Sequence, residues 1–183
     1  MSGKTSLSNY VQAYSSPNSS KSRNLAGQFT GCTGLTQIYC YASSTIQANI
    51  QTAFSNQSLS SLSTLDLRWT SASGELRDAS FAGADALVHI RFAGGGHSGS
   101  DFYGTADSIA NNSGNGEVFS NMSNLNWLYV YSNGNIAGAL PDFSNNSNMR
   151  GIYIRNTSTN GNLPNLTGNP NLYYLRLDSN QMS

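Results

Sequence analysis

Four hydrophobic positions recur along the chain with internal spacings of six, three and two residues. Successive copies begin between 23 and 38 residues apart, and the six appear in order, which is a strong repeat signal. Five copies are complete: Phe29, Leu35, Ile38, Cys40; Phe81, Leu87, Ile90, Phe92; Phe119, Leu125, Leu128, Val130; Phe143, Met149, Ile152, Ile154; and Leu166, Leu172, Leu175, Leu177. The sixth, second along the chain, is Leu62, Leu65 and Leu67, with Asn56 at the first position and Leu59 substituting for it.

The last two hydrophobic positions of each copy alternate with polar or aromatic residues, as in Leu175-Arg176-Leu177. This period of two predicts a short strand with one buried face. Because one short strand cannot bury that face alone, neighbouring copies must stack and share a hydrophobic spine. The pattern predicts a repeat solenoid with short parallel strands on one face, a turn-rich outer wall and few short helices.

The N-terminal part of the chain differs from the repeats. Spacing of i, i+3, i+4 and i+7 predicts a short helix through Leu7, Tyr10, Val11 and Tyr14. We therefore divide the chain into residues 1–28, a capping or docking segment, and residues 29–183, a solenoid of about six coils. A second short helix on the outer wall is predicted from Ile46, Ile50 and Phe54.

The repeats resemble those of the leucine-rich-repeat family, in its plant-type variety. Leu172, Leu175, Leu177, Asn180 and Met182 follow the first half of the pattern Leu-x-x-Leu-x-Leu-x-x-Asn-x-Leu-x-Gly-x-Ile-Pro. Its second half is matched by Gly138, Leu140 and Pro141, and by Gly161, Leu163 and Pro164. Thr157 replaces the expected Asn. The resemblance covers about residues 29–183 and implies the fold, whereas members of the family bind very different ligands.

Two regions leave alternatives open. Met182 and Ser183 lie where the family would place its next Gly-x-Leu-Pro, and no polar cap follows. Either the chain is the N-terminal portion of a longer product, or a partner covers the last coil.

An insertion at about 94–116, rich in Gly, Ser and Asn, is either a binding element projecting from the strand face or a tolerated loop.

Composition narrows the classes of function. Nine basic and nine acidic residues give zero net charge, which argues against a nucleic-acid partner. Hydrophobic residues make up 38% and charged residues only 10%, while 30 Ser, 23 Asn and 18 Gly fit a fold made mostly of turns. No apolar run approaches a membrane span, and the first residues show no secretory signal.

No catalytic, cofactor or metal site is predicted. The stretch Gly94–Asp101 contains His97, Ser98 and Asp101, but neighbours in a Gly-rich loop lack the fixed geometry of a nucleophile and its base. Asp101 and Asp107 lack the ligand density of a calcium site. Cys40 occupies a core position and is read as a small buried hydrophobic residue.

The outward positions of the strands are the candidate binding surface. Stacking places equivalent residues of successive coils about 4.8 Å apart, so that they form columns. Seven of eighteen outward positions are Tyr or Trp and four are Arg, the residue types that dominate protein interfaces and, for aromatics, also suit sugar rings. The alternative is that Tyr simply favours strands and covers the sheet. The predicted ligand-binding residues are Tyr39, Tyr41, Arg68, Arg91, Trp127, Tyr129, Tyr131, Tyr153, Arg155, Tyr174 and Arg176.

These observations lead to one functional expectation and one alternative. We expect a non-enzymatic recognition or structural module that presents the Tyr/Arg-rich strand face to a protein or glycan. A neutral solenoid whose ends suit docking fits a larger assembly, such as a virion appendage or an adhesin component of an extracellular particle. The alternative is an intracellular, cytoplasmic or exported scaffold for protein–protein interaction.

Overall fold

The protein is a parallel-strand solenoid. A computed structural model describes residues 7–12, 23–25, 27–40, 43–49, 59–68, 70–73, 85–93, 119, 122–140 and 142–182. All regular secondary structure in these residues is β-strand. The strands are β1 (Asn9–Gln12), β2 (Arg23–Asn24), β3 (Gln37–Cys40), β4 (Ser43–Asn49), β5 (Thr64–Asp66), β6 (Thr70–Ser73), β7 (His89–Ala93), β8 (Trp127–Ala139), β9 (Gly151–Gly161), β10 (Tyr174–Arg176) and β11 (Gln181–Met182).

The main sheet has the strand order β1-β3-β5-β7-β8-β9-β10, and each pair of neighbours is parallel. The six strands that the repeat pattern predicts are all in this sheet. Leu128 pairs with Ile152, which in turn pairs with Leu175, so the predicted hydrophobic spine is confirmed. A smaller parallel sheet has the order β2-β4-β6, and β11 pairs with the far end of β9.

A repeated backbone contact fixes the stacking of the coils. In each coil, one carbonyl just before the strand accepts hydrogen bonds from two consecutive N–H groups of the next coil, as Thr36 does from Ser63 and Thr64 at 2.8 and 3.2 Å. The accepting carbonyls belong to Ser8, Thr36, Ser63, Val88, Asn126 and Arg150. Because the contact recurs at every step, the strands share one register and equivalent side chains form rows.

The chain turns a corner two residues after the buried strand positions. Ser132, Asn156 and Ser179 occupy this point in three successive coils, with φ values of 52°, 52° and 60°. Left-handed backbone is unusual for residues other than glycine, and Asn and Ser help by bonding locally. Here the Asn156 side-chain amide donates to the Ser132 hydroxyl at 3.2 Å, which joins two neighbouring corners.

The core is a continuous column of buried Leu, Ile and Phe residues, in which Phe119 stacks on Phe143 with ring centroids 6.2 Å apart. Asparagines enter this column in the later coils. Asn146 and Asn169 are almost fully buried, and each side-chain amide donates to two backbone carbonyls of the preceding turns. Thr157, where the family pattern has Asn, is hydrogen-bonded to Asn180 of the next coil.

Both helix predictions are wrong where the structure describes the chain. Asn9–Gln12 forms strand β1, and Ser43–Asn49, which includes Ile46, forms strand β4. A helix of two turns is marginal by itself, whereas a neighbouring coil offers unpaired backbone groups to an extended segment. The main sheet therefore begins within the segment predicted to be a cap.

Several predicted features lie outside the described residues. They are Tyr14, Tyr41, Ile50, Phe54, Phe81, Pro141, Ser183, the Gly94–Asp101 stretch and the insertion at about 94–116.

Candidate functional site

The strand register defines two adjacent rows of outward-facing residues. The central row contains Tyr39, Asp66, Arg91, Tyr129, Tyr153 and Arg176. The neutral row, two residues earlier on each strand, contains Gln37, Thr64, His89, Trp127, Gly151 and Tyr174. The alignment of residues predicted from the repeat is confirmed for both rows.

Tyrosine rings stack across the last three strands of the sheet. Tyr129 lies on Tyr153 with centroids 4.3 Å apart and an interplanar angle of 14°, and Tyr153 is parallel to Tyr174 at 6.4 Å. Tyr131 is tilted against the same group, 6.0 Å from Tyr129. Tyr153, in the middle, is only 9% exposed. The stacked rings cover one another's faces, so the group offers mainly ring edges and hydroxyls to a ligand.

The hydroxyl of Tyr129 remains protonated at neutral pH. Burial is the main cause that raises its pKa, and the adjacent Tyr153 adds to the effect. A protonated phenol is both a donor and an acceptor of hydrogen bonds.

Asp66 holds two arginines of the strand face. Its side chain is buried, and its Oδ2 lies 2.7 Å from Nη2 of Arg68 and 3.5 Å from Nη1 of Arg91. The guanidinium Nε of Arg68 also donates to Oδ1 at 2.9 Å, so this pair is bidentate. Two arginines therefore share one carboxylate, which fixes their position and leaves a net positive charge.

Asp178 plays the same part at the other end of the sheet. Its Oδ2 lies 2.6 Å from Nε of Arg155, and its Oδ1 lies 2.5 Å from Nε of Arg176. The hydrogen bond from Arg176, with the charge of Arg155, lowers the pKa of Asp178. Arg176 also lies over the Tyr153 ring, 5.3 Å from its centroid. Both arginine side chains stay about two-fifths exposed, at 36% and 42%.

Trp127 lies across the neutral row because position 151 has no side chain. A Cβ atom at Gly151 would overlap the six-membered ring of Trp127. In the space that Gly151 leaves, the Trp127 ring meets Tyr173 at 84° and 6.0 Å and Tyr174 at 45° and 5.7 Å. We call Trp127, Tyr173 and Tyr174 the aromatic corner. Tyr173 is 72% exposed.

The predicted site residues form two groups. Trp127, Tyr129, Tyr131, Tyr153, Arg155, Tyr174 and Arg176 form one contiguous surface on β8, β9 and β10 and the residues next to them. Arg68 and Arg91 meet around Asp66, and Tyr39 lies next to Asp66 on β3.

Four further residues that shape this face were not among the predicted ones: Asp66, Asp178, Gly151 and Tyr173. For the two acids a signal existed, because Asp66 and Asp178 each stand two residues from an Arg on the same strand face.

The described residues contain no group of three His, Cys, Asp or Glu side chains that could hold a metal ion. No helix in this part of the chain has the length and hydropathy of a membrane span. Burial, assisted by Asp66, raises the pKa of the Cys40 thiol to about 12, so the reactive thiolate is not formed near neutral pH.

Comparison with known proteins gives structural neighbours only. The chain matches no protein-family model and no curated protein sequence. It is similar to internalin C2 from Listeria monocytogenes, with 13% identity, a TM-score of 0.41 and coverage of 84% of this chain and 66% of that one. It is also similar to a plant peptide hormone receptor, RGFR1, in complex with RGF2, with 15% identity, a TM-score of 0.34 and coverage of 87% and 34%. The chain thus spans less than two thirds of either neighbour, and the description of its fold rests on its own strand pairing.

Proposed function

We propose that this protein is a non-enzymatic recognition module of the leucine-rich-repeat type that binds a protein segment across the central row of its strand face. The observation that carries the proposal is the tyrosine stack of β8–β10 flanked by arginines that Asp178 holds in place. The chain is the kind of repeat scaffold whose sheet presents one long, continuous surface.

The proposal rests first on pre-organisation. Ordering a flexible side chain at an interface costs about 0.5–1.5 kcal/mol, and this cost is already met where the free protein holds the side chain in place. Arg176 is fixed by Asp178 and by the Tyr153 ring, and Tyr129 is fixed by stacking on Tyr153. Tyr and Arg held in this way are typical of the residues that dominate binding energy at protein interfaces.

The chemical groups that the stack exposes also suit a protein ligand. A sugar ring stacks on an open aromatic face, and the faces of Tyr129 and Tyr153 are already turned toward each other. Phenol hydroxyls, ring edges and partly paired guanidinium groups instead suit the amides, carboxylates and apolar side chains of a polypeptide. The central row therefore favours a protein ligand over a glycan.

Strand propensity accounts for only part of this surface. Tyr153 is nearly buried and packs between its neighbours, so its role includes covering the sheet. Arg155 and Arg176 are different, because their side chains remain about two-fifths exposed and contribute no burial to the core. We therefore assign recognition chiefly to the arginines and to the half-buried Tyr129 and Tyr131.

A peptide library displayed on phage tests the proposal. Peptides selected against the purified protein should bind the Arg176→Ser and Tyr129→Ser variants at least about tenfold more weakly, a loss of about 1.4 kcal/mol. Asn145→Ser, in an exposed turn before β9, is the matched control and should bind as the unaltered protein does. Selected peptides that bind both face variants with unchanged affinity would show that the central row is not the recognition surface.

The setting of the module is a further proposal. Docking into a larger assembly, as a virion appendage or adhesin component, is supported by the neutral composition and the solenoid shape. The intracellular or exported scaffold is the alternative. Sedimentation of the protein from its native source separates them, since a particle component should sediment with the particle and a scaffold should not.

A further inference from the structure

The neutral row differs in chemistry from the central row beside it. Gln37, Thr64, His89, Trp127, Gly151 and Tyr174 include no residue that is charged at neutral pH, whereas the central row carries Asp66, Arg91 and Arg176. His89 belongs with the neutral residues because burial, with the charge of Arg91 added, lowers its pKa from 6.5. At pH 7 its imidazole therefore offers one donor and one acceptor and no charge.

This row ends in the aromatic corner. The Tyr173 ring stands at 84° to the Trp127 ring and is 72% exposed, so it is not covered by a stacked neighbour as Tyr153 is. Tyr174, 37% exposed, is tilted at 45° to the Trp127 ring and completes the group. The corner thus has one ring with an exposed face, that of Tyr173, and two partly covered rings. In the central row, by contrast, the rings of Tyr129 and Tyr153 cover each other's faces.

The separation of the two rows points to a ligand without charge. A charged ligand binds more tightly where arginines can pair with its charge. It binds less tightly where it is desolvated beside neutral groups only. A neutral sugar ring has apolar C–H groups on one face, which pack on an aromatic ring, and hydroxyls on its rim, which need neutral donors and acceptors. The aromatic corner supplies the ring on which the C–H groups pack. Along the row, the amide of Gln37 and the imidazole of His89 supply neutral donors and acceptors for the hydroxyls.

We propose that the neutral row binds an uncharged oligosaccharide, with one sugar ring packed in the corner formed by Trp127, Tyr173 and Tyr174. The chain of the oligosaccharide runs across the strands toward His89 and Gln37. Neighbouring strands lie about 4.8 Å apart, so the row from Tyr174 to Gln37 extends over roughly 24 Å. That length accommodates several sugar residues. The site is distinct from the central row, although the two share one sheet.

Isothermal titration calorimetry with defined oligosaccharides tests this site. The neutral probes are maltohexaose, xylohexaose and N-acetylchitohexaose, and the charged probe is a heparin hexasaccharide. At least one neutral probe should bind with a Kd below about 1 mM. Tyr173→Ala should weaken that binding at least about tenfold, and because Tyr173 is mostly exposed the fold is retained. Tyr131→Ala, on the same sheet face but outside the neutral row, is the matched control and should leave the sugar affinity unchanged.

Three results would overturn the proposal: no neutral probe binds in this range, Tyr173→Ala leaves the affinity unchanged, or the heparin fragment binds more tightly than every neutral probe. A second variant, Trp127→Ala, checked for folding by circular dichroism, should also lose sugar binding. The peptides selected on the central row separate the two proposals, because they should still bind Tyr173→Ala. Loss of sugar binding with retained peptide binding in Tyr173→Ala supports the glycan site. Retention of both sugar and peptide binding overturns the glycan site and leaves the central-row proposal standing.

Discussion

Asn146 provides the most direct test of how the coils are held together. Its side chain is fully buried, and its amide donates to the carbonyl of Phe119 at 2.9 Å and to that of Met122 at 2.8 Å. Each buried neutral hydrogen bond contributes about 1 kcal/mol of net stability. Replacing Asn146 with Ala removes both bonds and should therefore lower the free energy of unfolding by about 2 kcal/mol. The small cavity left by Ala increases this loss, and removal of the unpaired amide oxygen of Asn146 offsets the increase. That oxygen, Oδ1, has no hydrogen-bond partner among the described residues.

Urea denaturation followed by circular dichroism measures this loss, and thermal unfolding should show a melting temperature about 4–8 °C lower. Asn148→Ala is the matched control. Asn148 is exposed and donates one hydrogen bond of 3.1 Å to the Ser123 carbonyl, so its loss should stay within about 0.5 kcal/mol. Asn146→Met adds a second comparison, because Met122 occupies the equivalent position one coil earlier. Its apolar burial should recover about half of the loss, or roughly 1 kcal/mol.

Unfolding of Asn146→Ala and Asn148→Ala at the same urea concentration would contradict this role of Asn146. That result would mean that hydrophobic stacking alone sets the stability, and that the buried asparagines contribute nothing beyond filling space. A large loss in Asn146→Met equal to that in Asn146→Ala would instead show that the amide bonds dominate and that apolar burial cannot replace them.

Three further perturbations probe the strand face and the core. Gly151→Ala should displace the Trp127 ring and alter its fluorescence. The loss of stability should be only about 1 kcal/mol, because the overlapping atoms lie at the movable end of the Trp127 side chain. An unchanged fluorescence spectrum would contradict the observed packing. The pKa of Asp178 in the folded protein lies below its ordinary 3.8, so the pairing with Arg176 stabilises the fold above pH 3.8 and is lost as the pH falls through the lowered pKa. An NMR titration of the Asp178 carboxyl should show this lowered pKa, and a midpoint at or above 3.8 would refute the pairing. Cys40 should resist Ellman's reagent at pH 8 until the protein unfolds, because burial raises its pKa to about 12, whereas rapid labelling of the native protein would show that its coil opens.

The repeat pattern was informative because it reflects contacts that every coil makes in the same way. The regular spacing of hydrophobic residues in the sequence predicts that Leu128, Ile152 and Leu175 pair on adjacent strands. The register of the outward rows follows from this pairing. The tyrosine positions in the central row were predicted on the same ground. The N-terminal strand was missed because Tyr10 and Val11 belong to an apolar pattern that fits a helical period, and only the neighbouring coil decides that these two residues extend and pair.

Hydrophobic spacing in the sequence alone therefore determined a stacked parallel-strand solenoid, since a short strand with one apolar face has no other way to remove that face from water. The tertiary structure decided what the outer face offers. It brought Asp178 between two arginines, closed the faces of the tyrosine stack, and let Trp127 lie over Gly151. Apart from the Arg176–Asp178 pair, these arrangements depend on distances and ring angles between residues more than twenty positions apart, and such geometry exists only once the coils are stacked.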